Sequence, residues 1–216
     1  VAVKLPEIPA TTVASTPQSQ QTETPGPTIQ GKDILWTFVP GSEKKLLEFM
    51  EVVQGTLQPG QMKTETVSGK TFVSINQNSQ QQTILVFKPV YEDVQVEADL
   101  DLSNFKGAVA LVHHVSDRTF DFFRIEEGMA ELGRREDDKE VILADKELND
   151  MKGIVLLKAV GSGGHFRGYI SGKLWVHGHH SDASPGKAGI LFDGTGSIRI
   201  ARIAVHHLDE KNDMSI

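Results

Sequence analysis

Apolar side chains recur at every second position through most of the chain, and this period of two constrains the fold more than any other feature. In VQVEADLDL (94–102), valine, alanine and leucine alternate with polar residues. Successive side chains of an extended strand point to opposite faces, so the pattern gives each strand one apolar and one polar face. A helix needs apolar residues three and four positions apart, and SEKKLLEF (42–49) is the one early stretch with that spacing. The chain is therefore expected to consist mainly of half-buried β-strands.

Turn residues, rather than amphipathic helices, separate the predicted strands. Gly128, Asp137-Asp138 and Ser171-Gly172 are typical of turns. Many short strands at this spacing favour an antiparallel sandwich over a βαβ sheet, and 20 glycines in 216 residues suit a turn-rich β protein. The predicted strands cover residues 34–38, 70–77, 82–90, 94–102, 107–115, 119–128, 129–136, 139–145, 153–161, 165–172, 173–180, 187–194 and 197–208.

Residues 1–30 are predicted to form a flexible linker, and residues 31–216 one β-sandwich domain. Five of the nine prolines lie in residues 6–30 among many Thr, Ser and Gln, and no aromatic residue precedes Trp36. Such a segment buries too little apolar surface to offset the entropy that is lost on ordering. Linkers of this composition often follow the cleavage site of exported bacterial proteins. We therefore expect an extracytoplasmic location, which is periplasmic, cell-surface or secreted.

The composition argues against several classes of protein. Lys and Arg total 22 against 29 Asp and Glu, a net charge of −7 without the basic block of a nucleic-acid binder. The chain has no cysteine, which removes disulfides and thiolate metal sites. No stretch approaches the roughly 20 apolar residues of a membrane helix. We expect neither a nucleic-acid partner nor a membrane span.

The second half of the chain resembles the closing strands of concanavalin A-like sandwiches. Ser171-Gly172-Lys173 matches the family's hairpin, GKAGI (186–190) matches its G-x-x-G-L loop, and residues 198–205 match its last strand. Upstream, YEDVQVEADLDL (91–102) and residues 107–128 are similar to its earlier strands. The resemblance implies an all-β fold, an antiparallel jelly-roll β-sandwich.

More narrowly, residues 85–206 look like laminin-G-like bacterial domains and the 3-keto-disaccharide hydrolase family, although His113-His114 stands where Phe-Arg is usual. The resemblance implies, as the preferred function, an exported non-catalytic carbohydrate-binding or adhesion-type module. One alternative is a glycan-active hydrolase of the 3-keto-disaccharide type that uses carboxylates of the 97–101 strand. Another is a laminin-G-like module that recognises a protein partner.

Three carboxylates share one face of the strand at 94–102. Glu97, Asp99 and Asp101 lie two residues apart, a spacing similar to the E-x-D-x-E strand of β-glucan-cleaving glycosidases. A retaining glycosidase holds its two carboxyl groups about 5–5.5 Å apart. Positions four apart on a regular strand are separated by about 13 Å, and aspartate is shorter than glutamate. Glu97 or Asp99 is the candidate general acid/base, and the alternative is a solvated strand face.

Trp175 leads the candidates for ligand binding. If Leu174 and Val176 enter the core, the Trp175 ring shares a sheet face with His177 and can stack on a sugar. By the same alternation Arg124 lies on the face of Phe122. The other candidates for this ligand surface are His114, His165, Arg167, His177 and Glu97.

Histidine and aspartate residues supply candidate metal ligands. His177 and His179 lie two apart on one strand face, so both imidazoles can bind one ion. Asp193, with a carbonyl group from the 181–186 loop, is a candidate ligand for calcium. No other cofactor is expected.

Overall fold

The computed structural model describes residues 25–78, 81–148 and 153–208. These residues form fourteen antiparallel strands and three short helical turns. The strands are β1 (Thr28–Gln30), β2 (Asp33–Thr37), β3 (Met50–Gln54), β4 (Met62–Val67), β5 (Lys70–Gln77), β6 (Thr83–Phe87), β7 (Val94–Ser116), β8 (Thr119–Glu126), β9 (Met129–Glu136), β10 (Lys139–Glu147), β11 (Ile154–Ser162), β12 (His165–Ile170), β13 (Lys173–His179) and β14 (Lys187–His207). The helical turns are the 3-10 turns Ser42–Lys44 and Pro59–Gln61 and the helix α1 (Leu46–Phe49).

Two long strands, β7 and β14, run through both layers of a sandwich. They pair with each other from Lys187 opposite Val115 to His207 opposite Val94. The front sheet has the order β1-β2-β14-β7-β11-β12-β13 and uses the N-terminal half of β7. The back sheet has the order β3-β6-β14-β7-β8-β9-β10 and uses its C-terminal half. The hairpin β4–β5 pairs with β14 near its bend.

Glycine allows the bend at which β7 passes from one sheet to the other. Gly107 has a φ of +132°, and a Cβ atom there would overlap the carbonyl oxygen of Asp193 on β14. The sequence pattern predicted two separate strands on either side of this point. The structure joins them, because backbone pairing between β7 and β14 continues through the bend.

The main core lies between the two sheets, as the alternation predicts. Val96 and Ala98 on the front sheet and Phe123 and Ile125 on the back sheet face this core. Full burial of a side chain such as Phe123 contributes roughly 1.5–3 kcal/mol. A second apolar cluster, which includes Phe122, belongs to the opposite face of the back sheet. Every odd-numbered residue from Asp121 to Ile125 is therefore directed between the sheets.

The predicted jelly-roll sandwich is confirmed. Within the described residues, no helix has both the length and the apolar character needed to cross a membrane. Residues 25–30 of the predicted linker include β1, which pairs with β2, and the rest of that linker lies outside the described residues.

Candidate functional site

A polar cleft opens at one end of the sandwich, between the 181–184 loop and the ends of β7, β8 and β9. Its volume is roughly 270 Å³. All of its lining residues except Ala183 carry polar side chains. They are His114, Ser116, Thr119, Asp121, Arg134, Glu136, Ser181, Asp182, Ala183 and Ser184.

The floor of the cleft is a buried ionic network centred on Asp121. Its Oδ2 atom lies 2.8 Å from Nδ1 of His114, and Arg134 Nε donates to its Oδ1 at 2.6 Å. Asp121 is 1% exposed, and His114 and Arg134 are each 4% exposed. Burial alone would raise the pKa of Asp121, but the hydrogen bonds from His114 and Arg134 outweigh it and lower the pKa. Asp121 is therefore a carboxylate held between two donors.

His114 faces an acceptor at each ring nitrogen. Nε2 lies 2.8 Å from the carbonyl oxygen of Glu92, and Nδ1 faces the Asp121 carboxylate. Both ring nitrogens of His114 therefore lie within hydrogen-bond distance of a protein oxygen, which fixes the orientation of the ring.

His113 is the neighbour of His114 in this network. Its ring is fully buried, stacks on Phe166 at 5.9 Å and places Nδ1 3.0 Å from Nδ1 of His114. Burial, followed by the charge of His114, lowers the pKa of His113 to about 3. Its Nε2 atom has no hydrogen-bond partner in the part of the chain that the structure describes.

A backbone irregularity brings both histidines to the same network. The pairing of β7 with β8 shifts register between His113 and Ser116, and His114 has a φ of +52°. Such a conformation costs a non-glycine residue about 1–3 kcal/mol. Gly161 on β11 leaves room for the rings, since a Cβ atom there would lie 2.5 Å from Cε1 of His113. The site therefore depends on the strained backbone of His114 and on the absence of a side chain at Gly161.

The network continues to the rim of the cleft through Arg134. Its NH1 group donates to Nδ1 of His180 at 2.8 Å and to Oγ of Ser181 at 3.3 Å. These bonds fix the start of the 181–184 loop to the buried charges. Asp121, Arg134 and Ser181 are thus held in place by hydrogen bonds.

The carboxylate strand lies elsewhere, on the outer face of the front sheet. Arg202 donates to Glu97 at 2.6 Å, and Lys70 donates to Asp99 at 3.1 Å. Arg199 donates to Asp101 at 3.1 Å. Burial would raise the pKa of Asp101, but the hydrogen bonds of Ser103 and Arg199 lower it. Each carboxylate of this charge ladder has a cationic partner, which supports a structural role.

Trp175 does not take the orientation expected from alternation. A register shift between β12 and β13 places Leu174 opposite Tyr169, and Leu174 is 46% exposed instead of buried. The Trp175 ring packs partly against the main core, and the Lys146 ammonium lies 4.8 Å from its centre. Its indole Nε1 is buried without a hydrogen-bond partner among the described residues. The predicted role of Trp175 as a sugar platform stays a prediction.

Arg124 takes the face that was predicted, above the Phe122 ring at 4.8 Å. It is bound there by Glu131 at 2.6 Å and Glu140 at 3.0 Å. Burial would lower the pKa of Arg124, but the hydrogen bond of Glu131 and the charge of Glu140 raise it. This face belongs to the back sheet, whereas Glu97 belongs to the front sheet. The structure therefore does not bring Arg124, Glu97 and Trp175 together on one surface.

His165, His177 and His179 meet on the outer face of β12 and β13, with Arg167 opposite His177. All three histidines are exposed. The pKa of His177 is lowered by partial burial and then by the charges of His179, Arg167 and His165. Sequence reasoning found the pair on β13, and strand pairing adds His165.

Asp193 lies in mid-strand, opposite Ala108. It follows Lys187, the first residue of β14, by six positions, or about 20 Å along an extended strand. The 181–186 loop ends just before Lys187, so this loop and Asp193 are too far apart to share a calcium ion. The calcium site expected at Asp193 therefore lacks the carbonyl ligand that the 181–186 loop was expected to supply.

Asp121 is the central site residue that sequence reasoning missed. It lies in the segment TFDFF, which matches no catalytic or binding motif. The available signal was its position, because alternation places Asp121 on the same face as Phe123 and Ile125. A carboxylate on the core face of a strand requires a partner, which here is Arg134.

Strand order and core together define an antiparallel jelly-roll β-sandwich. No protein-family model and no curated protein matches the chain.

Among solved structures, the carbohydrate binding module CBM66 from Bacillus subtilis is similar with a TM-score of 0.54 and 16% identity, over 71% of this chain and 94% of that one. A native glycosidic hydrolase is similar with a TM-score of 0.56 and 11% identity, over 83% and 97% of the two chains. The Bacillus licheniformis β-glucanase is similar with a TM-score of 0.53 and 10% identity, over 74% of this chain and 92% of that one. At these identities the similarity establishes the fold.

Proposed function

We propose that the protein is a non-catalytic carbohydrate-binding module that holds one sugar unit, such as a glycan end, in the polar cleft beside the 181–184 loop. The observation that carries this proposal is the near-complete polar lining of a small cleft above a fixed ionic network. A fold shared with a carbohydrate-binding module and a glucanase agrees with it.

The chemistry of the lining suits a polyhydroxylated ligand. Glu136 and Asp182 offer carboxylate acceptors, and Ser116, Thr119 and Ser184 offer hydroxyl groups that both donate and accept. The volume is slightly below the roughly 300–1,000 Å³ of sites for drug-sized ligands. A single sugar ring therefore fits the cleft better than a longer chain.

The charges of the buried network favour binding over hydrolysis. Both oxygens of Asp121 already accept hydrogen bonds, and its lowered pKa keeps it ionised. A general acid needs a pKa raised towards neutrality. On the charge ladder, the pKa of Asp101 is lowered as well, and Glu97 and Asp99 are already bound by Arg202 and Lys70. Hydrolysis and protein recognition remain alternatives, and export remains part of the proposal because of the composition of residues 6–30.

A glycan array followed by calorimetry tests the cleft. We expect the native protein to bind at least one glycan and the double variant Glu136→Gln/Asp182→Asn to lose at least tenfold in affinity. Glu97→Gln and Trp175→Ala are matched controls on other surfaces and are expected to retain affinity. Both cleft residues lie at the rim, so the fold is expected to tolerate these substitutions.

Three outcomes would contradict the proposal. Absence of binding to every glycan tested removes a carbohydrate function. Binding that is lost in Trp175→Ala but kept in the cleft variant places the site at β13. Turnover of a glycoside that disappears in Glu97→Gln shows an enzyme that uses the carboxylate ladder.

A further inference from the structure

Three exposed imidazoles converge on the outer face of the β12–β13 hairpin. His165 lies directly opposite His179, and His177 lies two residues before His179 on the same face. The His179 ring centre is 4.5 Å from each of the other two, and the centres of His165 and His177 are 6.0 Å apart. We call these three residues the histidine triad.

The triad can adopt the geometry of a metal site with small side-chain rotations. One ring nitrogen from each residue lies within 4.8 Å of the others. Around a tetrahedral ion with metal–nitrogen bonds of about 2.1 Å, ligand nitrogens are about 3.4 Å apart. The three rings are exposed and contact one another through their edges and faces, so solvent leaves room for small rotations.

We propose that His165, His177 and His179 together bind one divalent transition-metal ion, such as Zn²⁺ or Cu²⁺, and leave its remaining coordination positions open to solvent. Neutral imidazole nitrogens suit zinc, copper and nickel, whereas calcium and magnesium require oxygen ligands. Strand pairing fixes the spacing of the three backbones, so the site is largely preorganised. The proposal is independent of sugar binding, because the triad lies outside the polar cleft.

The buried group His113, His114 and Asp121 also brings three ligand atoms together, but it does not fit a metal ion. Arg134 already supplies a positive charge to Asp121 at 2.6 Å, where a metal would have to bind. The triad contains no such internal cation. Of the two groups, the exposed one is therefore the metal site.

Arg167 is the neighbouring charge that opposes metal binding at the triad. It pairs with His177 across the strands, and its charge acts on that imidazole. Arg167→Gln removes this repulsion and is expected to increase metal affinity about three- to tenfold. An affinity that falls in Arg167→Gln would contradict a site made of the three histidines.

Calorimetric titration of the native protein with Zn²⁺, together with visible spectroscopy of added Co²⁺, tests the proposal. We expect one ion per chain, d–d absorption bands of Co²⁺ bound to nitrogen, and a loss of at least tenfold in affinity in His179→Ala. His206→Ala, at a partly exposed histidine on β14, is the matched control and is expected to bind as the native protein does. Absence of stoichiometric binding, or an equal loss in His206→Ala, would overturn the proposal.

Discussion

Two groups of histidines lie on opposite faces of the same part of the sandwich, and their surroundings give them different chemistry. His165 and Phe166 are consecutive on β12, with the His165 ring in the exposed triad and the Phe166 ring stacked on buried His113. Inside, Asp121 and Arg134 fix the charges and hydrogen bonds of the histidine pair. Outside, the triad has ring contacts and Arg167 as its neighbouring charge. Burial therefore produces a fixed ionic network, whereas exposure leaves nitrogen atoms available to a ligand.

The largest expected difference between the two regions is in stability. Asp121→Ala leaves Arg134 as a buried cation without its carboxylate and removes a hydrogen-bond partner of His114, which typically costs about 3–5 kcal/mol. His179→Ala, in the exposed triad, is expected to change the free energy of unfolding by no more than about 0.5 kcal/mol. Urea denaturation of both variants measures the difference. Equal destabilisation would show that burial does not distinguish the two groups.

Acid sensitivity separates the groups next. The folded pKa of His113 is about 3, below its ordinary value of 6.5, so between these pH values the unfolded chain binds more protons than the folded protein. The contribution of neutral His113 to stability is therefore fully present above pH 6.5 and is lost as the pH falls towards 3. Between pH 6.5 and 5 we expect a loss of about 2 kcal/mol from this residue.

Urea denaturation at several pH values, in the native protein and in His113→Phe, measures this effect. The variant is expected to lose most of the dependence between pH 5 and 6.5. Asp121 titrates at lower pH and contributes little in that range. The pKa of His177 is also lowered, so His177→Gln serves as the control. This control is expected to remove a smaller part of the pH dependence of the free energy of unfolding than His113→Phe does. An unchanged pH profile in His113→Phe would disprove this role.

A glycine substitution tests the space that the buried pair requires. In Gly161→Ala the new methyl group would lie against the His113 ring, so overpacking is expected to cost about 1–3 kcal/mol. Gly60→Ala is the control, because a Cβ atom there has no neighbour within 4 Å. Thermal unfolding of the two variants compares them. An unchanged stability in Gly161→Ala would mean that the His113 and His114 rings can move to make room for the methyl group.

The smallest effect is expected at the charge ladder of the front sheet. Glu97→Gln removes one partner of an ion pair with Arg202, and both side chains are partly exposed. Such pairs contribute up to about 1 kcal/mol, and salt weakens them further. Denaturation at low and high salt measures this contribution. If Glu97→Gln lowered the free energy of unfolding as much as Asp121→Ala does, the charge ladder would stabilise the fold as strongly as the buried network, which would contradict the comparison.

Most of the fold could be predicted from the alternation of apolar residues, and the exceptions have physical reasons. β4, with the sequence MKTETV, carries mainly polar side chains and pairs only with β5 among the described strands, so its apolar pattern is weak. Residues 103–106 interrupt the pattern of β7 although backbone pairing continues through them. Residues 144–150 can also be interpreted as a helical turn, but residues 144–147 belong to β10 and residues 149–150 lie outside the described residues.

The candidate site was harder to predict because register shifts have no clear sequence signal. The shift after His113 and the shift beside Leu174 each change which face a side chain takes. Alternation therefore failed at Trp175. It also could not show that His114 and Asp121 come together. Within regular pairing, by contrast, the face of Arg124 was predicted correctly.

The pairing of β7 with β14 determines when the protein can fold during synthesis. Val94 pairs with His207, so more than one hundred residues of sequence separate the partners at that end of the β7–β14 pair. Contacts of such long range make folding slow, because a large loop must close before pairing begins. Translation delivers β14 after β1–β13, and β2, β5, β6 and β7 all pair with it. Until then those four strands have unpaired edges on the ribosome, so this is the stage at which a chaperone has most to protect.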